Sequence, residues 1–146
     1  MIIDLRDIKR QGKDSLDFYF EHTFDNQLID IPNVTFSAPV KISGTAFLTG
    51  EHSAVIDGEI EFSLVGDCTR CLSKAEKTYF ASFCEDFGKE ENGNLVKGDK
   101  IDLTELVIAT VLTEMPYSFL CTDECLGLCS VCGTNLNNGN CNCNNK

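Results

Sequence analysis

Nine cysteines in a chain of 146 residues, six of them crowded between Cys121 and Cys143, limit what this chain can fold into more than any other feature. Cysteine at that density serves a disulfide framework, a metal scaffold or a redox device, and the compartment decides among them. The first residues, MIIDLRDIKR, carry charges at Asp4, Arg6, Asp7, Lys9 and Arg10, so the apolar run of a secretory leader is missing. The expected compartment is the cytoplasm, where disulfides are rare, and an odd number of cysteines cannot pair completely. Metal ligation becomes the default reading.

The spacing supports it. Cys129-Ser-Val-Cys132-Gly133 is a Cys-x-x-Cys-Gly turn, which sets two sulfurs on one side of a tight loop and offers a glycine for the positive φ required. Cys141 and Cys143 follow after a short, turn-prone stretch containing Asn-Leu-Asn-Asn-Gly, able to return to within the about 2.3 Å of a Zn–S bond. Cys129, Cys132, Cys141 and Cys143 are therefore expected to form one tetrahedral zinc site. Six free surface thiols would be an oxidation liability. An iron–sulfur cluster is the sharper competitor, but its usual cysteine spacings are not matched.

A second Cys-x-x-Cys, Cys68-Thr-Arg-Cys71, falls just past a predicted strand. Cys121 and Cys125 are left over from the tail site and are candidates to close a second site with Cys68 and Cys71, giving one or two zinc ions per chain. A helix predicted to end at Pro116 can bring the chain back for this. A thioredoxin-like role for Cys68 and Cys71 needs a helix N-terminus in a βαβ setting, and none is visible. Cys84, inside a strand-like run, reads as a small buried hydrophobe.

Residues 1 to about 87 are rich in β-branched and aromatic residues, alternating at Leu16, Phe18 and Phe20 and again at Val40, Ile42, Ala46 and Leu48. The runs Val40 to Leu48 and Ala54 to Val65 flank the turn-prone Thr49-Gly-Glu-His-Ser53, a hairpin signal. The polar, glycine-rich stretch from Gly88 to Lys100 reads as an exposed loop. Asp102 and Glu105 suit a helix start, and Leu103, Leu106, Val107, Thr110, Val111 and Glu114 keep helical spacing up to Pro116. The fold class expected is α+β: a mainly antiparallel sheet body with one covering helix, about 102–115, and a zinc-binding tail. The expected division is a body, 1–120, and a cysteine-rich tail, 121–146. From Asn135 onward seven asparagines accompany one large apolar residue, Leu136, so the end of the chain cannot order itself by burial.

Charge and missing motifs exclude much. Twelve Lys and Arg against twenty-three Asp and Glu give a net charge of −11, which repels a phosphate backbone. No apolar run approaches the roughly 20 residues of a membrane span. No catalytic carboxylate pair, Ser-His-Asp order or phosphate-cradling glycine loop is present, so no enzyme is expected. Arg70 reads as a solvated charge or carboxylate partner, and His22 and His52 as ordinary surface or half-buried histidines.

The Cys68-Thr-Arg-Cys71-Leu72 box, the helix from Leu103 to Pro116 and the string Gly127-Leu-Cys129-Ser-Val-Cys132-Gly133-Thr-Asn135-Leu-Asn137 resemble the YceD family across nearly the whole chain. What that resemblance implies is a non-catalytic role in the accumulation of large-subunit (23S) ribosomal RNA, with ribosome-assembly or RNA-processing proteins as partners. With so acidic a chain, the contacts are expected to be chiefly with protein, and any with ribosomal RNA local or indirect. The alternative is a zinc- and thiol-based redox-responsive regulator, in which metal release or oxidation melts the tail.

Overall fold

The computed structural model describes residues 1–88 and 96–143. Residues 89–95 of the expected glycine-rich loop lie outside the described residues, as do 144–146. In chain order the elements are β1 (Ile2–Asp4), α1 (Leu5–Arg10), β2 (Ser15–His22), β3 (Val34–Phe36) and β4 (Val40–Gly50). They continue with β5 (Ser53–Asp67), β6 (Lys74–Phe87), β7 (Lys100–Asp102) and α2 (Thr104–Glu114). The described residues are thus mostly antiparallel sheet with one main helix and a cysteine-rich C-terminal tail, the class expected. None of their helices is long and apolar enough to cross a membrane.

Two compact units divide the chain. The first comprises Met1–Phe24, Pro39–Phe62 and Tyr79–Met115. Its centre is the β4–β5 hairpin, turning at Gly50 and Ser53, with β2 antiparallel to β4. Alternation places Val40, Ile42 and Ala46 of β4 and Ala54, Ile56 and Ile60 of β5 on a buried face, and the register sets Ile42 opposite Ile60 and Ala46 opposite Ile56. Gly44 and Gly58 are also opposite each other. A Cβ on Gly44 would come within 2.8 Å of the Phe18 ring, and one on Gly58 within 2.6 Å of the Phe83 ring, so both positions must stay bare.

Three local readings are corrected here. Residues 1 to about 87 read as a β-rich stretch, yet within it Leu5–Arg10 is a short helix: Asp4 accepts from the Arg6 N–H at 3.0 Å, and Leu5 and Ile8 bury one side. Six residues are too few to display a helical period. Cys84 is exposed, not buried, because Ala81, Phe83 and Phe87 occupy the inward parity of β6 and Cys84 the other. Lys100 belongs to β7, paired with β1, instead of to the loop. At the start of α2, Asp102 accepts from the backbone and hydroxyl of Thr104, at 2.9 and 2.6 Å, and Val107 and Val111 are buried.

The second unit comprises Asp25–Ala38, Ser63–Thr78 and Pro116–Lys146. Strand β3 pairs with the end of β5, Val34 opposite Gly66 and Phe36 opposite Leu64. Ile29, Ile31, Val34, Leu64 and Phe119 are buried. The unit also holds a cluster of Cys68, Cys71 and Cys125, with Leu120, Cys121 and Leu128 packed against it.

Candidate metal centres

Both Cys-x-x-Cys turns are the same piece of backbone. Cys68 donates its N–H to the Ser73 carbonyl at 2.9 Å, and Cys129 donates to the Thr134 carbonyl at 2.8 Å. Leu72 donates to the Cys68 carbonyl and Gly133 to the Cys129 carbonyl, each at 2.9 Å. The residue after the second cysteine takes positive φ in both, 60° at Leu72 and 73° at Gly133. The glycine foreseen at this point of the tail turn does adopt that conformation, and leucine accepts it in the other turn at a cost of about 1–2 kcal/mol. Each turn carries a hydroxyl two residues past its second cysteine, Ser73 and Thr134. Sequence reading did not single these out, and their shared offset is the signal that finds them.

Opposite the first turn, the chain after α2 is pinned from several directions. Thr69 donates its N–H to the Phe119 carbonyl at 2.8 Å and Arg70 its guanidinium to the Cys125 carbonyl at 3.1 Å. Arg70, read from the sequence as a solvated charge or carboxylate partner, thus serves a backbone oxygen. Lys77 meets Asp123 at 2.8 Å, and the Cys125 N–H closes a turn on Thr122. This places Cys121 and Cys125 against Cys68 and Cys71, with Cys68–Cys125 Sγ atoms 3.7 Å apart and Cys71–Cys121 3.5 Å apart. Four sulfurs at the corners of a tetrahedron around one ion, each about 2.3 Å from it, lie about 3.8 Å apart. These separations match that edge and are far beyond a disulfide bond of about 2 Å.

The second group is Cys129, Cys132, Cys141 and Cys143. In each quartet all four Sγ atoms lie within 4.8 Å of one another, and each can hold a metal ion. The surroundings differ. Cys68, Cys71 and Cys125 are buried, whereas in the tail only Cys129 is buried and Cys132 is exposed. His22 packs edge-on against Phe24, and His52 bonds the Asp99 carboxylate at 2.8 Å, so neither histidine joins a quartet.

Donors around the sulfurs set Cys68, Cys71, Cys129 and Cys132 apart from Cys121, Cys141 and Cys143. Burial pushes Cys68 up, but the N–H groups of Cys71, Cys121 and Arg70 together outweigh it and bring the thiol to about 6. The Ser73 hydroxyl and N–H lower Cys71. In the tail, the N–H groups of Cys132 and Val131 lower Cys129, and the Thr134 hydroxyl, 3.1 Å from the sulfur, heads the donors that bring Cys132 to about 6. Facing these, Cys121 is pushed up to about 12 by its hydrogen bond to Cys71 and by burial, and Cys143 to about 12 by its bond to Cys132 and by burial. The Cys143 N–H pulls Cys141 down, but its bond to Cys129 and burial leave it raised. Each quartet thus pairs sulfurs built to carry charge with sulfurs whose protons are shared toward them. A cation held by these sulfurs would take the place of those protons and favour the ionised thiols.

A protein-family model described as "Large ribosomal RNA subunit accumulation protein YceD" matches residues 56–146, more than half of the chain and all of both quartets. The chain belongs to the YceD family. Uncharacterized proteins of Mycobacterium bovis and Mycobacterium tuberculosis are each 30% identical to this YceD-family chain over 95 residues, 58% of it and 46% of their own length. One from Mycobacterium leprae is 26% identical over 119 residues, 74% of this chain and 54% of its own. The chain spans about half the length of the curated relatives it matches. No solved structure gives a significant match.

Proposed function

We propose that this chain is a non-catalytic factor in ribosome assembly, needed for accumulation or processing of large-subunit ribosomal RNA and acting mainly through protein contacts, with zinc in both quartets. The observation that carries the reading is the family match, whose description concerns accumulation of that RNA and whose span contains both quartets. Zinc is supported by the donor set, because four thiolates suit it and the cysteine spacings are not those of common clusters. Four protein ligands also make a closed site, as structural zinc requires, with no position left for a substrate. Protein contact is supported by the charge of −11, which disfavours naked RNA, and by Leu72, Leu126 and Val131, apolar residues exposed in or beside the cysteine turns.

Depleting the protein should lower mature large-subunit ribosomal RNA and leave incomplete large particles on a gradient, while the purified chain shows no nuclease activity. Capture from lysate with and without ribonuclease, repeated with Arg70→Ala and Cys129→Ser, separates the routes. Partners that survive ribonuclease and disappear with Cys129→Ser support docking through the cysteine module. Capture that needs intact RNA and Arg70 would replace protein docking with direct RNA recognition. A redox-responsive regulator is the second reading, favoured by one observation: Cys132 is exposed and its thiol is lowered to about 6. Mild peroxide that releases the tail ion and leaves captured partners unchanged would remove that reading.

A further inference from the structure

The Asn135-Leu136-Asn137 string lies between the two cysteine pairs of the tail quartet and supplies none of its ligands. Its amides are spent on the other quartet. Asn137 donates Nδ2–H to the Cys125 sulfur at 3.3 Å, and its Oδ1 accepts from the Leu126 N–H at 2.8 Å. The remaining Nδ2–H goes to Asn135 Oδ1 at 2.8 Å. This pattern fixes the amide's orientation, because a flip would turn the oxygen onto the sulfur and the NH2 onto an N–H. Leu136 N–H bonds the Gly127 carbonyl at 2.9 Å, and Asn135 Nδ2 donates to the Ser73 hydroxyl at 3.1 Å, the group that faces the Cys71 sulfur. The loop that must close for Cys141 and Cys143 to meet Cys129 and Cys132 is thus the loop that supplies N–H to Cys125.

We propose that Asn137 is a positioning residue of the buried quartet, Cys68, Cys71, Cys121 and Cys125, through which ion binding at the tail quartet tightens ion binding at the buried one. This rests on the metal reading above. Four thiolates around a divalent cation leave net negative charge on sulfur, and an N–H aimed at one of them stabilises that charge. With few apolar groups to fold it, the asparagine-rich loop is ordered by closure of the tail site. Coupling of this kind is reciprocal: each ion raises the affinity for the other.

Asn137→Asp tests the role, because the isostere keeps an acceptor for Leu126 and loses the donor to sulfur. The reduced, metal-free full chain is titrated with Co2+ alone, the ions being assigned by which cysteines become protected from alkylation. The wild type should take two ions, and N137D should weaken the buried quartet by roughly 10- to 100-fold and shift its thiolate-to-cobalt charge-transfer band. Disabling the tail with C132S/C143S should weaken the buried quartet similarly, and adding N137D to it should cost little more. Two ions in the wild type with affinity and band unchanged in N137D would overturn the proposal and leave the metal reading standing. Losses that add in full would overturn the coupling. A wild type that takes up no Co2+ overturns both readings. Asn137 is exposed, so N137D decides alone should the tail variant not fold.

Discussion

The two quartets share a turn and a donor pattern, and they differ in what holds them in place. Around Cys68, Cys71 and Cys125 the sulfurs are themselves the buried cluster, packed by Leu120 and Leu128. Around Cys132, Cys141 and Cys143 there is little to bury, and the order of the segment comes from asparagine amides, backbone turns and the sulfurs. The same chemistry is thus a folding core in one place and a clasp in the other. Losing the first should dissolve a unit, whereas losing the second should release a tail.

The largest effect expected is that of Cys68→Ser. Apparent binding free energies of structural zinc are about 10–16 kcal/mol, more than a small unit can replace, so the variant should lose hydrogen-exchange protection throughout Ser63–Thr78 and from Pro116 onward. Cys132→Ser should lose one ion and tail protection while the β4–β5 hairpin stays protected. Protection around Cys68 that survives C68S would erase the distinction between core and clasp. Cys84→Ser should change neither ion content nor protection, its thiol being exposed on β6 and outside both quartets.

Alkylation of the metal-loaded, reduced chain sharpens the contrast. Cys132, exposed in the clasp, should react well before Cys68, which is buried in the core quartet. Stripping the metal, which opens both quartets, should bring the two rates together. Equal rates at Cys68 and Cys132 with metal bound would mean that burial does not separate the quartets.

The smallest effect compares the turns themselves. Gly133→Ala should destabilise the tail by about 1–2 kcal/mol, the strain of positive φ, although none of the described residues lies in the way of the new methyl. Leu72→Gly should relieve the same strain, offset by chain entropy, for a net gain of at most about 1 kcal/mol in denaturant titration. A loss with L72G would show that the exposed leucine holds the first turn by packing.

Much of this was legible because it is local. Alternation marked β4 and β5, helical spacing marked α2, and Cys-x-x-Cys-Gly announced the tail turn together with its glycine. The short α1 was hidden, since its evidence is one Asp4 cap and two apolar positions. Cys84 was misread as buried because residue type was weighed above strand parity, which assigns the inward face to Ala81 and Phe83. At the quartets, ligand-type residues stand out by spacing, and Asn135 and Asn137 belong to the string that carries the family resemblance, but the partners of their amides, Ser73 and Cys125, cannot be read from spacing. Ser73 becomes visible only when the two turns are overlaid.

Two ions held by two sets of four sulfurs is the central claim, and native mass spectrometry of the reduced full chain with elemental analysis tests it most directly. The account predicts two zinc ions per chain, one in Cys132→Ser and two in Cys84→Ser. A folded, fully reduced chain that carries iron, or no metal at all, would contradict it.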